Sequence, residues 1–248
     1  MKVALISHTP QALELLLYTK NTRLKGECTL EDIINWPDSK KMEHLAYIWD
    51  TIQSSWEFLN YTFEISEVTR NFTHQFIRTR TGSYAQETQR AVDVSENSYS
   101  VPKIDREDLF KESIESSIST YQQLRAQGVL PQDARGVLPS NLHTSIIASF
   151  NLRTLSHMAE LRLCTRTQGE YQDVFRLMRE AILEIHPWTA PVLEVYCVRY
   201  GICAFPRYKE CPFHHLTADL TEVKKKLQEK FWGQRHEAKP IAVNGRTM

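Results

Sequence analysis

Arg78-Thr79-Arg80-Thr81-Gly82-Ser83-Tyr84-Ala85-Gln86-Glu87-Thr88-Gln89-Arg90 is the stretch on which the reading of this chain turns. It gathers three arginines, one carboxylate and one glycine among hydroxyls and amides. No apolar period of 2 or 3.6 runs through it, so the spacing predicts a loop and not a core-facing face. Arginines and hydroxyls round a glycine suit a planar, phosphate-bearing ligand. The guanidinium fork pairs bidentately with phosphate, and glycine lets backbone N–H groups come close. The plain alternative is a solvated loop with charge to spare.

Upstream, Leu59 to Ser66 alternates strictly and predicts a strand. Ser66 is placed to cap a following helix with Val68, Phe72 and Phe76 at helical spacing. That helix would deliver Arg78 and Arg80 to its C-terminal end, where cations oppose the negative pole of the macrodipole. Further back, Lys2 to Ser7 predicts a short buried strand, and Pro10 to Tyr18 a helix with Pro10 at N1 and Leu13, Leu16 and Leu17 on one face. Thr29-Leu30-Glu31-Asp32 reads as a capping box. A helix from about Ser39 would bury Met42, Leu45, Ala46, Trp49 and Ile52.

Downstream, Ala91 to Ile104 reads as strand and turn. Asp105 to Gln127 predicts an amphipathic helix with Leu109, Phe110, Ile114, Ile118, Tyr121 and Leu124 inward, ended by Gly128. Pro131 opens a short helical turn, and an apolar segment surrounds Ile146 and Ile147. Helices are expected over Arg153 to Arg162, over Glu170 to Ile185 and after Pro187. The tail from Thr221, with Lys224-Lys225-Lys226, reads as a solvated helix end and a frayed terminus. No linker divides the chain, so it reads as one α+β domain over residues 1–220 with a charged tail over 221–248.

Thirty basic and thirty acidic residues balance in the 248-residue chain. A neutral chain argues against a broad nucleic-acid or anionic-lipid surface, which makes the central arginines a local site. No apolar run is long enough to span a membrane, the N-terminal apolar run is short for a signal peptide, and five cysteines are an odd count. The expectation is a cytoplasmic protein.

The central stretch resembles the signature of flavin-dependent thymidylate synthases, the ThyX family: Arg-His-Arg, seven residues, Ser, and a closing Arg-Tyr. Arg78, Arg80, Ser83, the Gln86-Glu87 neighbourhood and Arg90 fit it. Thr79, Thr88 and Ala91 stand where the signature has His, Ser and Tyr. Arg135-Gly136-Val137-Leu138-Pro139 is similar to the family's Arg-x-Val-Leu-Pro segment. Asn151 to Arg162 resembles its Asn-x-Arg, His and Leu-Arg pattern, and Gln168 with Glu170 echoes an Ala-Gln-x-Glu element. The likeness runs from about Leu59 to Pro191.

The resemblance implies an antiparallel sheet with flanking helices and a mostly helical C-terminal half. It implies FAD as cofactor and dUMP as substrate, methylated to dTMP with methylenetetrahydrofolate and NADPH. Arg78, Thr79, Arg80, Ser83, Asn151, Arg153 and His157 fall to the flavin side. Gln75, Gln86, Glu87, Thr88, Gln89, Arg90, Arg135 and Arg162 fall to the nucleotide side, with Arg162 the catalytic candidate against the pyrimidine. The family is a homotetramer with active sites between subunits. Helix geometry agrees, since Arg162 projects about 180° from Arg153. The three departures motivate two alternatives, a pyrimidine nucleotide 5-hydroxymethylase and a homologue that binds without turnover.

No cysteine lies in the central stretch, and Cys164 does not share a helix face with Arg162. A flavin, not a thiol, would then carry the one-carbon unit or hydride. Cys197, Cys203, Cys211, His214 and His215 match no common zinc spacing, so no metal site is expected.

Overall fold

The computed structural model describes residues 1–23, 26–51, 53–94, 96–219, 221–223 and 225–227. One antiparallel sheet has the order β1-β2-β4-β3, from β1 (Lys2–His8), β2 (Asn60–Thr69), β3 (Ser83–Gln86) and β4 (His143–Asn151). The helices are α1 (Ala12–Arg23), α2 (Leu30–Ile34), α3 (Asp38–Trp49), α4 (Arg70–Phe76), α5 (Glu107–Ala126) and α6 (Pro131–Ala134). Then follow α7 (Leu152–Arg162), α8 (Gly169–Ile185) and α9 (Tyr196–Tyr200). This is the α+β arrangement expected, with helices flanking the sheet and dominating the C-terminal half. The charged tail lies largely outside the described residues.

Alternation in β2 and β4 sets the layers. Tyr61, Phe63 and Ile65 share the buried face with Ile146, Ala148 and Phe150. That face meets α4, α7 and α8, whose Phe72, Phe76, Leu155, Tyr171, Val174, Phe175 and Met178 complete the core. The opposite face is open. Across it Ala4, Glu64, Ile147 and Ala85 stand in one register row, all exposed. A smaller cluster of Val94, Tyr121, Ala134 and Leu142 forms beside α5.

The structure corrects the expected ends. β1 is an edge strand and not a buried one, with Ile6 exposed. Pro10 stands before α1, which begins at Ala12. In α3 the core side is Leu45 and Ile48, while Met42 and Ala46 face solvent and Ile52 lies outside the described residues. Lys41 is buried on the same helix, where it pairs with Glu14 of α1 at 2.7 Å and donates to the Ile34 carbonyl at 3.0 Å. Strand β2 runs on past Ser66 to Thr69, through a register shift at which Glu67 has φ 57°. Thr69, not Ser66, caps α4 by accepting from the Phe72 N–H at 3.2 Å, and Val68 belongs to the strand. Between Ala91 and Ile104 the only pairing described is the bridge of Tyr99 to Leu142. Leu109 is exposed, and Ile114 with Tyr121 anchors α5. The capping box at Thr29 and the Pro131 start of α6 form as read.

Three imidazoles are held neutral by their surroundings. His143 lies between the Ser98 and Ser100 hydroxyls at 2.8 and 2.7 Å, and burial lowers its pKa. His186 sits 3.0 Å from the Tyr61 hydroxyl, with burial and then His8 lowering its pKa. Burial and then Lys20 do the same for His44. The unfolded chain takes up protons first, near about pH 6.5. Their stabilisation is therefore full above that pH and is lost as pH falls through the depressed folded values. Denaturant titrations should show stability falling from about pH 7 to about pH 5, with a shallower fall in His143→Gln.

Candidate active site

The central stretch is not a loop throughout. After α4, residues Arg78 to Gly82 form a turn in which the Gly82 N–H donates to the Thr79 carbonyl at 3.2 Å. Ser83 to Gln86 then add the edge strand β3 to β4, pairing Ser83 with Ser149 and Gln86 with Ile146. A four-residue strand carries no measurable apolar period, which is why the pattern read as loop. Tyr84 points inward against Phe76 and Phe150, and its hydroxyl donates to the Thr79 carbonyl at 2.6 Å, with the Phe76 carbonyl at 3.2 Å. A Cβ at Gly82 would lie 2.3 Å from Phe150 Cε1, so the turn crosses that ring where only glycine fits.

The residues assigned to the flavin collect at the start of β3 and the end of β4. Asn151 caps α7, accepting from the Thr154 N–H at 2.8 Å, and the Thr154 hydroxyl reaches that of Thr81 at 3.1 Å. Ser83, Arg78 and Arg80 are exposed around this junction. Arg153 pairs with Glu57 instead of stacking with His157, and exposed His157 approaches Glu160 at 3.8 Å.

The residues assigned to the nucleotide divide into two groups within one chain. Gln86 to Arg90 lie at the far end of β3, about 10 Å along the strand from Ser83. Gln86 donates to the Thr73 hydroxyl at 2.9 Å. The Glu87 carboxylate accepts from the Ser145 N–H at 3.0 Å and the Asn97 amide at 3.3 Å. The Thr88 hydroxyl accepts from the Arg90 N–H at 3.1 Å, Gln89 is buried, and Arg90 is exposed. Exposed Arg135 donates to the Gln132 carbonyl at 3.2 Å.

Arg70, which sequence reasoning passed over, belongs with this group. It donates to the Glu87 carbonyl at 2.9 Å, and its Nε is buried without a partner. Burial chiefly lowers its pKa; the Glu87 carboxylate opposes this and the nearby Arg135 guanidinium adds to it. Two cations facing each other beside an unsatisfied N–H favour an anion between them. A cation in the first turn of a helix, against the macrodipole, was the signal available in the sequence.

The other nucleotide group lies where α4, α7 and α8 meet. The Gln75 amide donates to Gln168 Oε1 at 2.5 Å. The Arg162 guanidinium carbon lies 4.5 Å from the centroid of the Tyr171 ring. Burial raises the Tyr171 phenol pKa, opposed by Arg162 and Thr79. Glu170 faces inward and holds Thr69, accepting from its N–H at 2.7 Å and its hydroxyl at 2.5 Å.

Charge pairing divides the arginines without following the assignment strictly, since Arg153 of the flavin side is paired. Arg125, Arg153, Arg176, Arg179 and Arg199 each have a carboxylate within ion-pair distance. Among the described residues, Arg78, Arg80, Arg90, Arg135 and Arg162 have none. Cys164, Cys197 and Cys211 instead line an apolar hollow with Leu163, Val195 and Phe213, where burial raises the Cys197 pKa. No group of three or more His, Cys, Asp or Glu is placed to hold a metal among the described residues. No helix among them is long and apolar enough to cross a membrane.

The sequence model of the family described as "Thymidylate synthase complementing protein" matches residues 4–188. A flavin-dependent thymidylate synthase of Pyrococcus furiosus is 32% identical over 219 residues, covering 82% of this chain and 89% of that protein. That of Pyrococcus abyssi is 30% identical over the same shares. A solved UMP/dUMP methylase of Streptomyces cacaoi, bound with 5-Br dUMP, shares the fold with TM-score 0.63 at 19% identity, over 77% of this chain and 93% of that one.

The Tyr84 hydroxyl braces the turn from within, so Tyr84→Phe should leave the Thr79 carbonyl with the Gly82 N–H alone, at a cost of about 0.5–1.5 kcal/mol. Hydrogen-exchange mass spectrometry should show faster exchange confined to the peptide spanning residues 77–84. Unchanged exchange there would assign the turn's order to packing alone.

Proposed function

Because the chain belongs to the thymidylate synthase complementing protein family, we propose that it is a flavin-dependent thymidylate synthase that methylates dUMP to dTMP. Methylenetetrahydrofolate would donate the one-carbon unit and NADPH the electrons. The observation that carries the reading is that Arg78, Arg80, Arg90, Arg135 and Arg162, the family-motif arginines apart from the paired Arg153, have no carboxylate within ion-pair distance among the described residues. Arg78, Arg80, Arg90 and Arg135 are exposed, so their guanidinium forks are available to an anionic ligand.

The donor set suits FAD and a nucleoside monophosphate. Arg78, Arg80, Ser83 and Asn151, with Thr79, Arg153 and His157 nearby, would hold the flavin and its pyrophosphate. FAD, when bound, supplies the electron relay between NADPH and the one-carbon unit. Arg90 and Arg135, supported by Arg70, would take the dUMP phosphate, with Thr88 and the backbone beside it as further donors. Gln75, Gln86, Glu87 and Gln89 would frame the nucleoside. Arg162 would face the pyrimidine, where its positive charge stabilises negative charge developing on the ring as C5 becomes nucleophilic.

The phosphate group and Arg162 sit on different elements of one chain, and the sheet leaves an open face carrying Ile147. Both features support a homotetramer in which one subunit supplies the phosphate donors and another the pyrimidine-side arginine. We read residues 1–220 as the catalytic unit and the protein as cytoplasmic, with no nucleic-acid partner.

Incubation of the flavin-loaded protein with dUMP, methylenetetrahydrofolate and NADPH should give a product with the mass of dTMP. A 5-hydroxymethyl nucleotide would select the alternative chemistry, and no product would reject both. Arg90→Ala should weaken dUMP binding by about 2–5 kcal/mol and leave FAD binding nearly unchanged. Calorimetric titration with each ligand checks this, and equal loss of both would show the division of the stretch to be wrong.

A further inference from the structure

Among the described residues Arg162 has no carboxylate partner, yet a catalytic guanidinium must be held in one orientation. Its side chain ends over the Tyr171 ring, 4.5 Å from the centroid. That ring is itself immobilised. It is fully buried, and Phe72 and Phe76 meet it edge-on at 5.2 and 5.7 Å. Its hydroxyl is buried without a well-formed hydrogen bond among the described residues, although such a group is costly to bury. The side chains of Thr79 and Arg162 are the polar groups that face it.

A carboxylate would hold Arg162 by occupying two of its N–H donors. A ring face holds the same cation through its π system and leaves its in-plane N–H groups free of a carboxylate. Only the second device fixes the guanidinium and still lets it address a pyrimidine edge.

We propose that Tyr171 is the positioning residue of Arg162, its ring seating the guanidinium. The proposal rests on Arg162 being the pyrimidine-side cation. Tyr171 touches neither substrate nor cofactor in this scheme and acts through Arg162.

The test compares Tyr171→Phe, which keeps the ring, with Tyr171→Leu, which removes it, and uses Tyr171→Met should the leucine variant fail to fold. In the flavin-loaded protein Tyr171→Leu should lower kcat/KM for dUMP about tenfold to hundredfold while the FAD dissociation constant stays within about twofold. Tyr171→Phe should retain kcat/KM within about fivefold. Placed on an Arg162→Gln background, Tyr171→Leu should add less than about a twofold loss, because the residue it serves is gone. Losses that add in full to those of Arg162→Gln, or that fall equally on FAD binding, would reduce Tyr171 to a core residue and overturn the proposal. Crystal structures of the wild type and the leucine or methionine variant give a readout independent of turnover. A guanidinium seated in the wild type and displaced in the variant supports the proposal even if no dTMP is formed, in which case the functional reading falls. A guanidinium that keeps its place without the ring overturns the proposal while dTMP formation stands.

Discussion

The Glu170 carboxylate fixes the frame on which the site is built. One residue, Thr69, gives it two hydrogen bonds, from the backbone N–H at 2.7 Å and the hydroxyl at 2.5 Å. Thr69 ends β2 and caps α4, and Glu170 stands in the first turn of α8, where the macrodipole favours an anion. A single carboxylate therefore joins a strand and two helices. Hydrogen bonds to charged groups contribute about 1.5–3 kcal/mol each. With the start of α4 held, its far end meets α8 again through Gln75 and Gln168. The space bounded by Thr79, Arg162 and Tyr171 is set by those two ties.

The same economy of partners runs through the charged groups. Arg199 meets Glu160 and Ser156 at 2.8 Å and ties α9 to α7, so its donors serve the fold. Arg162, on the same helix as Glu160, has no carboxylate within ion-pair distance among the described residues and is laid on an aromatic face. Arg70 lies between these cases, with one donor used on the Glu87 carbonyl and its Nε left over. The chain thus uses some guanidiniums to hold elements together and leaves others without a carboxylate.

Long periodic elements were legible in the sequence, and short or interrupted ones were not. Alternation announced β2, and 3.6-residue spacing announced α5, α7 and α8. The four residues of β3 are too few for a period, and only pairing with β4 makes them a strand. Ser66 offered a plausible cap, but the Glu67 kink carries the strand three residues further and gives the role to Thr69. Local propensity could not see that kink, because tertiary pairing imposes it. In α3, Met42 lost to Ile48 because the buried Lys41–Glu14 pair turns the helix. The arginines of the site were visible as residue types in order. Their unpaired state, the Arg70 N–H and the ring beneath Arg162 depend on neighbours distant in sequence, such as Tyr171 beside Thr79.

Gly82 and Phe150 have a consequence for how this signature can vary. The side chain of Phe150 occupies the volume that any β-carbon at position 82 would need, at 2.3 Å. Phe150 also belongs to the aromatic group with Phe76 and Tyr84 that supports the turn from below. Position 82 is therefore closed to single-step change, whereas exposed neighbours such as Thr81 and Ser83 meet no such wall. Variation at 82 becomes accessible only after position 150 shrinks, and the order of those two steps matters. A mutational walk through this stretch is path-dependent: the smaller residue must appear at 150 first, and every intermediate must still support Tyr84.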